Sequence, residues 1–434
     1  MAMPVASVLL VAIPVVGATL GMLMWRNPQA LKVWLLIVTV ATFVTVGLTS
    51  EALSQAAGPV LLRSLLPLTA FVTLLAQPVH RSLRAAWLMT LLLLGLGLGT
   101  LAWEATVSHV LFVLLLAVNG LMLYRYRHQS EFDAWAGIAT AGLGILCVIV
   151  AMNVPPPISS MMLAVACGIA LPLVPFHKSY VAALTGLPGN LPAFLCVLLP
   201  IVGFHGLLTS QPELPDTVFN AVGILSLVGM VYGSLKALTQ SRAASVMTYG
   251  SLAFFSILWW YLTTIRIATS ETVVYVSAVA LATTGMLIAR YVLRARYGEI
   301  DLRALTGLAE QMPRFAVTLL LLTVAALGLP PFGVFSGFIG MLLAPSFVLS
   351  GALAVILIAW LCASWYFVDL AHGLLFGRQR HERHHEDLRA PELASLGVVL
   401  MLLFALGVLP TRIFVPEPAN LQRTVAMEPS TWIP

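Results

Sequence analysis

"ALPLVPFHKSY", residues 170–180, interrupts an apolar run that begins near Ser160. Pro172 and Pro175 sit three apart in it, and His177 and Lys178 follow at once. A proline inside a helix removes a backbone donor, and its ring clashes with the carbonyl one turn earlier. In a hydrocarbon layer the freed carbonyl has no bulk water, so protein or a wet cavity must satisfy it. Whether this stretch lies in a membrane therefore decides the fold.

Composition places it there. Hydrophobic residues make up 60% and charged residues 9% of the 434 positions, against roughly 25% charge in a soluble domain. Apolar runs of 18 or more residues recur along the chain, each long enough to cross a core of about 30 Å as a helix. The expectation is an all-α polytopic membrane protein. Its fourteen span cores are 4–24, 30–49, 58–77, 85–103, 106–124, 132–152, 159–176, 188–208, 217–237, 243–264, 271–293, 314–344, 347–375 and 394–412.

The 22 Lys and Arg residues test that count: eighteen fall in loops after odd-numbered spans, three after even-numbered spans, and Arg63 inside span three. Basic residues concentrate in cytoplasmic loops, so both termini are expected on the outer side of a bacterial inner membrane. The net charge of +5 is this topology signal and needs no nucleic-acid partner. MAMPVASVLL lacks a basic n-region and reads as the start of the first span, not a cleavable signal peptide. The longest polar stretches, 294–313 and 377–393, are too short for a separate domain.

A second interruption, "LGLPPFGVFSGF" at 327–338, carries Pro330 and Pro331. The broken spans are the seventh and twelfth, five apart. Two halves of five spans place the breaks at corresponding positions and invert the second half, an arrangement of ion transporters. The single membrane domain, 1–434, then divides into three N-terminal helices (4–84), a first five-helix repeat (85–208), a second inverted repeat (217–375) and a last helix (394–412).

"LPLVPFH" at 171–177, with Pro188 eleven residues after the histidine, resembles the P-x-x-P-x-H-x-W-L-P…A-P stretch of antiporter-like membrane subunits. These occur in respiratory complex I, Mrp sodium/proton antiporters and hydrogenases of the formate hydrogenlyase type. "DLRALTGLAEQMPRFAVTLLLLTVAALGLPPFGVFSGF", 301–338, is similar to the same family's L-x-G-L-x-x-x-M-P…G-L-P-P-x-x-G-F block, the hydrogenase branch most of all. "QSRAASVMTYGSL", 240–252, resembles its D-x-K-R-x-x-A-Y-S-S stretch, and "FGRQR" after span thirteen another feature. The resemblance covers about residues 85–412 in order.

It implies a proton path made of a glutamate in span five, lysines in spans seven and eight, and a lysine or glutamate at the break of span twelve. Carried onto this chain, these fall on Leu116 (Glu104 being a weaker match), Ala170, Ile201 and Phe338. In the span-ten motif, the acidic position falls on Arg242 and the Lys-Arg pair on Ala244 and Ser245. Hydrophobic positions hold no proton, so either the route is lost or other groups replace it. Candidates for replacement are His177, Lys178, His205, Lys236, Glu104 and the pair Asp369 and His372, with Arg63 and His109 as further intramembrane polar groups. His205 lies one turn after Ile201 on the same helix face, and histidine titrates near neutral pH.

Each has a plainer reading. A membrane histidine often only bonds a neighbouring helix. Lys178 and Lys236 suit interfacial snorkelling, and Asp369 with His372 suits a polar patch facing a partner. "HERHHE", 381–386, reads as a solvated loop, not a metal site. Cys147, Cys167, Cys196 and Cys362 read as small hydrophobes. No cofactor is expected in this chain. The expected partners are lipid, other membrane subunits and a peripheral catalytic module. The expected role is an antiporter-like subunit of a redox-coupled proton- or sodium-translocating complex with a depleted channel. A structural scaffold, or a subunit pairing with a zinc carbonic-anhydrase-like protein in inorganic-carbon uptake, are the alternatives.

Overall fold

The computed structural model describes residues 2–53, 60–103, 105–127, 134–298, 306–343, 351–376 and 386–409. Among them every long element is a helix: α1 (Ala2–Leu23), α2 (Pro28–Leu53), α3 (Val60–Leu75), α4 (Arg84–Ala102), α5 (Ala105–Arg125), α6 (Ala134–Ala151), α7 (Ile158–Ala170), α8 (Lys178–Gly186), α9 (Leu191–Ser210), α10 (Asp216–Leu238), α11 (Ala243–Ile265), α12 (Ser270–Tyr297), α13 (Leu308–Gln311), α14 (Pro313–Ala326), α15 (Gly333–Leu342), α16 (Ala352–Leu375) and α17 (Ala390–Val408).

Eleven of these are long and apolar enough to cross a membrane on their own. The other crossings are α3 and two composite spans, α7 with α8 and α14 with α15. The composites follow from length. α7 has 13 residues and α8 has 9; at 1.5 Å per residue the first reaches only about 20 Å and needs the second to cross about 30 Å. Among the described residues the order then contains fourteen crossings, with breaks in the seventh and twelfth.

This corrects one reading. The seventh span was expected to end at 176 with Lys178 beyond it. It runs on to Gly186, so Lys178 lies within the crossing, at the start of its second half. Two boundaries also shift. The turn through Pro188 and Gly189 (φ +66°) delays α9 to Leu191. At the other end of the chain, α17 starts at Ala390, because Pro391 sits in its first turn and Glu392 Oε2 accepts the Arg389 N–H at 2.9 Å, and it runs to Val408.

α11 and α12 form the centre, enclosed along their length. α12 is the seam between the halves: Thr284 Oγ1 donates to the Ala193 carbonyl of α9 at 3.0 Å, while Gly337 of α15 packs on the Tyr275 backbone. α1, α2, α10, α16 and α17 each turn an apolar face outward.

One end of the second half is fastened by buried charge. Arg296 of α12 forms a bidentate pair with Glu392 of α17, 2.6 Å at the shorter contact, and donates to the Glu386 and Asp387 carbonyls. The Asp387 carboxylate accepts the N–H groups of Arg314 and Phe315, which open α14. Removing one member of a buried pair strands the other charge. Replacing Arg296 or Glu392 singly by alanine is expected to destabilise the protein by about 3–5 kcal/mol, while Arg296→Met with Glu392→Leu recovers most of it. Thermal unfolding in detergent measures both.

Candidate functional site

The two breaks are built alike. At the first, the Leu171 N–H bonds Cys167 O and the Leu173 N–H bonds Gly168 O; at the second, Leu327 bonds Thr323 and Leu329 bonds Val324. The sequences superpose as L-x-L-x-P-F, Leu171–Phe176 on Leu327–Phe332. Val174–Pro175 and Pro330–Pro331 are both cis. A helix lies directly on each break and carries glycine at the crossing. A methyl group on Gly203 of α9 would sit 2.5 Å from the Leu171 nitrogen, and one on Gly407 of α17 would collide with the Pro331 carbonyl.

Each break leaves a carbonyl without a helical partner, and each is capped by an indole. Trp259 Nε1 of α11 donates to Leu171 O at 3.0 Å, and Trp360 Nε1 of α16 donates to Leu327 O at 2.7 Å. Tryptophan suits this place because its large ring fills apolar space while its N–H serves the carbonyl.

Around the first break the buried side chains are polar. His177 is buried at the start of α8 and meets Tyr232 and Tyr249 edge to face, with ring centroids 5.2 and 6.5 Å away. Neither ring nitrogen has a well-formed hydrogen bond, although the Pro175 carbonyl is close enough to act on the ring. Asn119 of α5 donates to Ser179 Oγ at 3.0 Å, and Tyr180 shares a hydrogen bond with Ser251 at 3.1 Å. Lys178 is exposed beside them, Pro172 is buried and Pro175 exposed. The second break is apolar: Phe338 lies 4.3 Å from Trp360, which lies 5.2 Å from Phe254.

The four positions to which the resemblance assigned channel charges are all packed away. Leu116 is 1%, Ala170 0%, Ile201 0% and Phe338 5% exposed. His205 lies on α9 with Arg63 of α3 close enough to act on it electrostatically. It also lines a cavity of about 120 Å³ with His109, Thr100, Ser108 and Thr209, so two of the candidate histidines meet in one place. The remaining candidates are not gathered with them. Lys236 is exposed in the last turn of α10. Asp369 and His372 are exposed on α16 with no ion pair between them. Glu104 and residues 381–385 of the histidine cluster lie outside the described residues. The four cysteines are free, and only Cys362 is other than buried. Sequence reasoning missed Trp259, Trp360, Asn119, Tyr232 and Tyr249. The tryptophans carried one signal, an indole N–H that needs an acceptor within an apolar run.

Residues 102–365 match the family model described as "NADH:quinone oxidoreductase/Mrp antiporter, TM". The chain belongs to this family. NADH-quinone oxidoreductase subunit N 2 of Hydrogenobaculum sp. is 26% identical over 287 residues, 64% of this chain and 61% of that protein. Subunit M of the same enzyme from Escherichia coli is 27% identical over 260 residues, 58% of this chain and 50% of its own length. The chain thus spans about half to three-fifths of these curated relatives. In fold it matches a chain of respiratory complex I from Thermus thermophilus with bound NADH (TM-score 0.81, 20% identity, 94% of this chain and 97% of that one). It also matches a chain of the membrane-bound sulfane sulfur reductase, an archaeal respiratory membrane complex (TM-score 0.79, 17% identity, 94% and 95%).

Within this antiporter-family chain, the indole caps have a measurable worth. Trp259→Phe and Trp360→Phe keep a ring but orphan a buried carbonyl, which costs about 1–3 kcal/mol. Each variant is expected to unfold at a lower temperature than the parent. Trp365→Phe, at an exposed position on α16, is expected to leave the transition unchanged.

Proposed function

We propose that this chain is an antiporter-like membrane subunit of a multi-subunit, proton- or sodium-translocating redox complex, and that its own conduit no longer carries ions. One observation carries the second part. The positions where the family resemblance calls for a carboxylate or ammonium hold Leu116, Ala170, Ile201 and Phe338, all enclosed by apolar packing. Ionisable groups are costly in a bilayer and are retained there where an ion path uses them. The side-chain donors near the breaks include the neutral indoles of Trp259 and Trp360 and the amide of Asn119, which supports loss of that path.

The first part rests on family membership and on the relatives, which are named as subunits of NADH-quinone oxidoreductases and of an F(420)H(2) dehydrogenase. The proposed setting is an inner membrane, with further membrane subunits and a peripheral catalytic module as partners and both chain ends outward. The exposed apolar faces of α1, α2, α10 and α16 suit contact with lipid and neighbouring subunits.

The test begins with extraction in mild detergent, in which the chain is expected to co-purify with other membrane subunits and a soluble module. In that assembled complex, placed in sealed vesicles, the double variant His177→Ala/His205→Ala is expected to leave the ratio of ions moved to electrons transferred unchanged. A drop in that ratio with assembly intact would show that the two histidines have taken over the relay.

A further inference from the structure

At the basic end of the bundle, the connection between α8 and α9 passes beside the last turns of α12 and leaves a cleft of about 280 Å³. Thr185, Pro188 and Gly189 form one wall, and Arg290, Tyr291 and Arg294 the other. Arg290 and Arg294 are four residues apart on α12, hence one above the other on the same face. A smaller recess shares both arginines and Gly189 and leads inward to Gln77 and Asn190.

Those two amides are 3% and 1% exposed, and Gln77 Oε1 and Asn190 Oδ1 have no hydrogen-bond partner among the described residues. Asn190 uses Nδ2 on Thr90 Oγ1 at 2.8 Å, which turns its oxygen to the other side. The recess therefore offers two buried acceptors beneath two cations. Buried acceptors without donors are costly and point to an absent donor.

We infer that this cleft holds the headgroup of an anionic phospholipid. The phosphate lies across Arg290 and Arg294, and hydroxyls of a phosphoglycerol group donate to Gln77 Oε1 and Asn190 Oδ1. The fit has three parts. Guanidinium groups are matched to phosphate oxygens. Basic pockets between helices at the cytoplasmic end of spans are the places where anionic headgroups are held. Leu83, half-buried and lining the cleft, gives an apolar wall for the first carbons of an acyl chain. A free phosphate shares the arginine chemistry but has no use for that wall and leaves most of the volume unfilled. This site is independent of whether ions pass through the chain.

The test uses the full-length protein extracted from its membrane, delipidated, and returned to phosphatidylcholine vesicles containing phosphatidylglycerol, or to phosphatidylcholine alone with inorganic phosphate. Re-extraction and native mass spectrometry are expected to find phosphatidylglycerol retained. Arg290→Gln with Arg294→Gln is expected to weaken retention roughly thirtyfold, as removal of two near-surface cationic contacts implies. Arg290→Lys with Arg294→Lys is expected to keep most of it. Ala295→Trp, at an exposed position lining the cleft, is expected to block it without touching either charge and decides the matter if the glutamine variant does not fold. Equal retention in the blocked variant and the parent overturns the proposal. So does inorganic phosphate binding in place of phosphatidylglycerol.

Discussion

Two carbonyl oxygens, those of Leu171 and Leu327, constrain most of the packing. Each lies where a helix stops inside an apolar layer, and a carbonyl there needs a donor from another part of the chain. The donors come from α11 and α16, so those helices must pass within hydrogen-bond reach of the breaks. For α11 this means running through the middle of the bundle, enclosed along its length. The breaks also have to be covered without adding bulk, which is why α9 and α17 meet them through Gly203 and Gly407.

The same constraint governs where charge resides. A carbonyl bonded to an indole is already satisfied and has little left to offer a passing cation. Apart from Lys178, exposed at the start of α8, the charged groups described inside the protein stand away from the breaks. Arg63 is near His205 at one end of the first half, and Arg296 pairs with Glu392 in the second. A buried ion pair repays its desolvation only with good geometry and further hydrogen bonds. The Arg296 group has both, reaching two carbonyls as well as the carboxylate. The centre instead relies on neutral donors, which cost less to enclose.

Much of this was legible because it depends on composition and short-range rules. Span number, the two breaks and the family follow from apolar run length, proline position and local motifs. The L-x-L-x-P-F match between 171–176 and 327–332 was also present in the sequence, but the wider five-span spacing obscured it. What was not legible was contact between distant residues. Trp259 and Leu171 are 88 positions apart, Trp360 and Leu327 are 33 apart, and nothing local ties them. The same holds for His109 and His205, joined only by the cavity between α5 and α9. Lys178 was misplaced for a local reason: the apolar run ends at the break, so the second half of the span reads as a loop until α8 is seen to continue.

The two breaks differ in the polarity of what surrounds them. Around the first break a polar shell survives: His177 against two tyrosines, Asn119 on Ser179, and Tyr180 on Ser251. These are hydrogen-bonding groups of the kind that orient a charged side chain, now without one at Ala170 or Ile201. Around the second break the corresponding space is filled by Phe338, Trp360 and Phe254. A charge introduced into the polar shell would find donors and acceptors already in place. A charge introduced into the packed aromatic cluster would displace close-packed rings and find no partner. A charge is thus more readily accommodated beside the first break than beside the second.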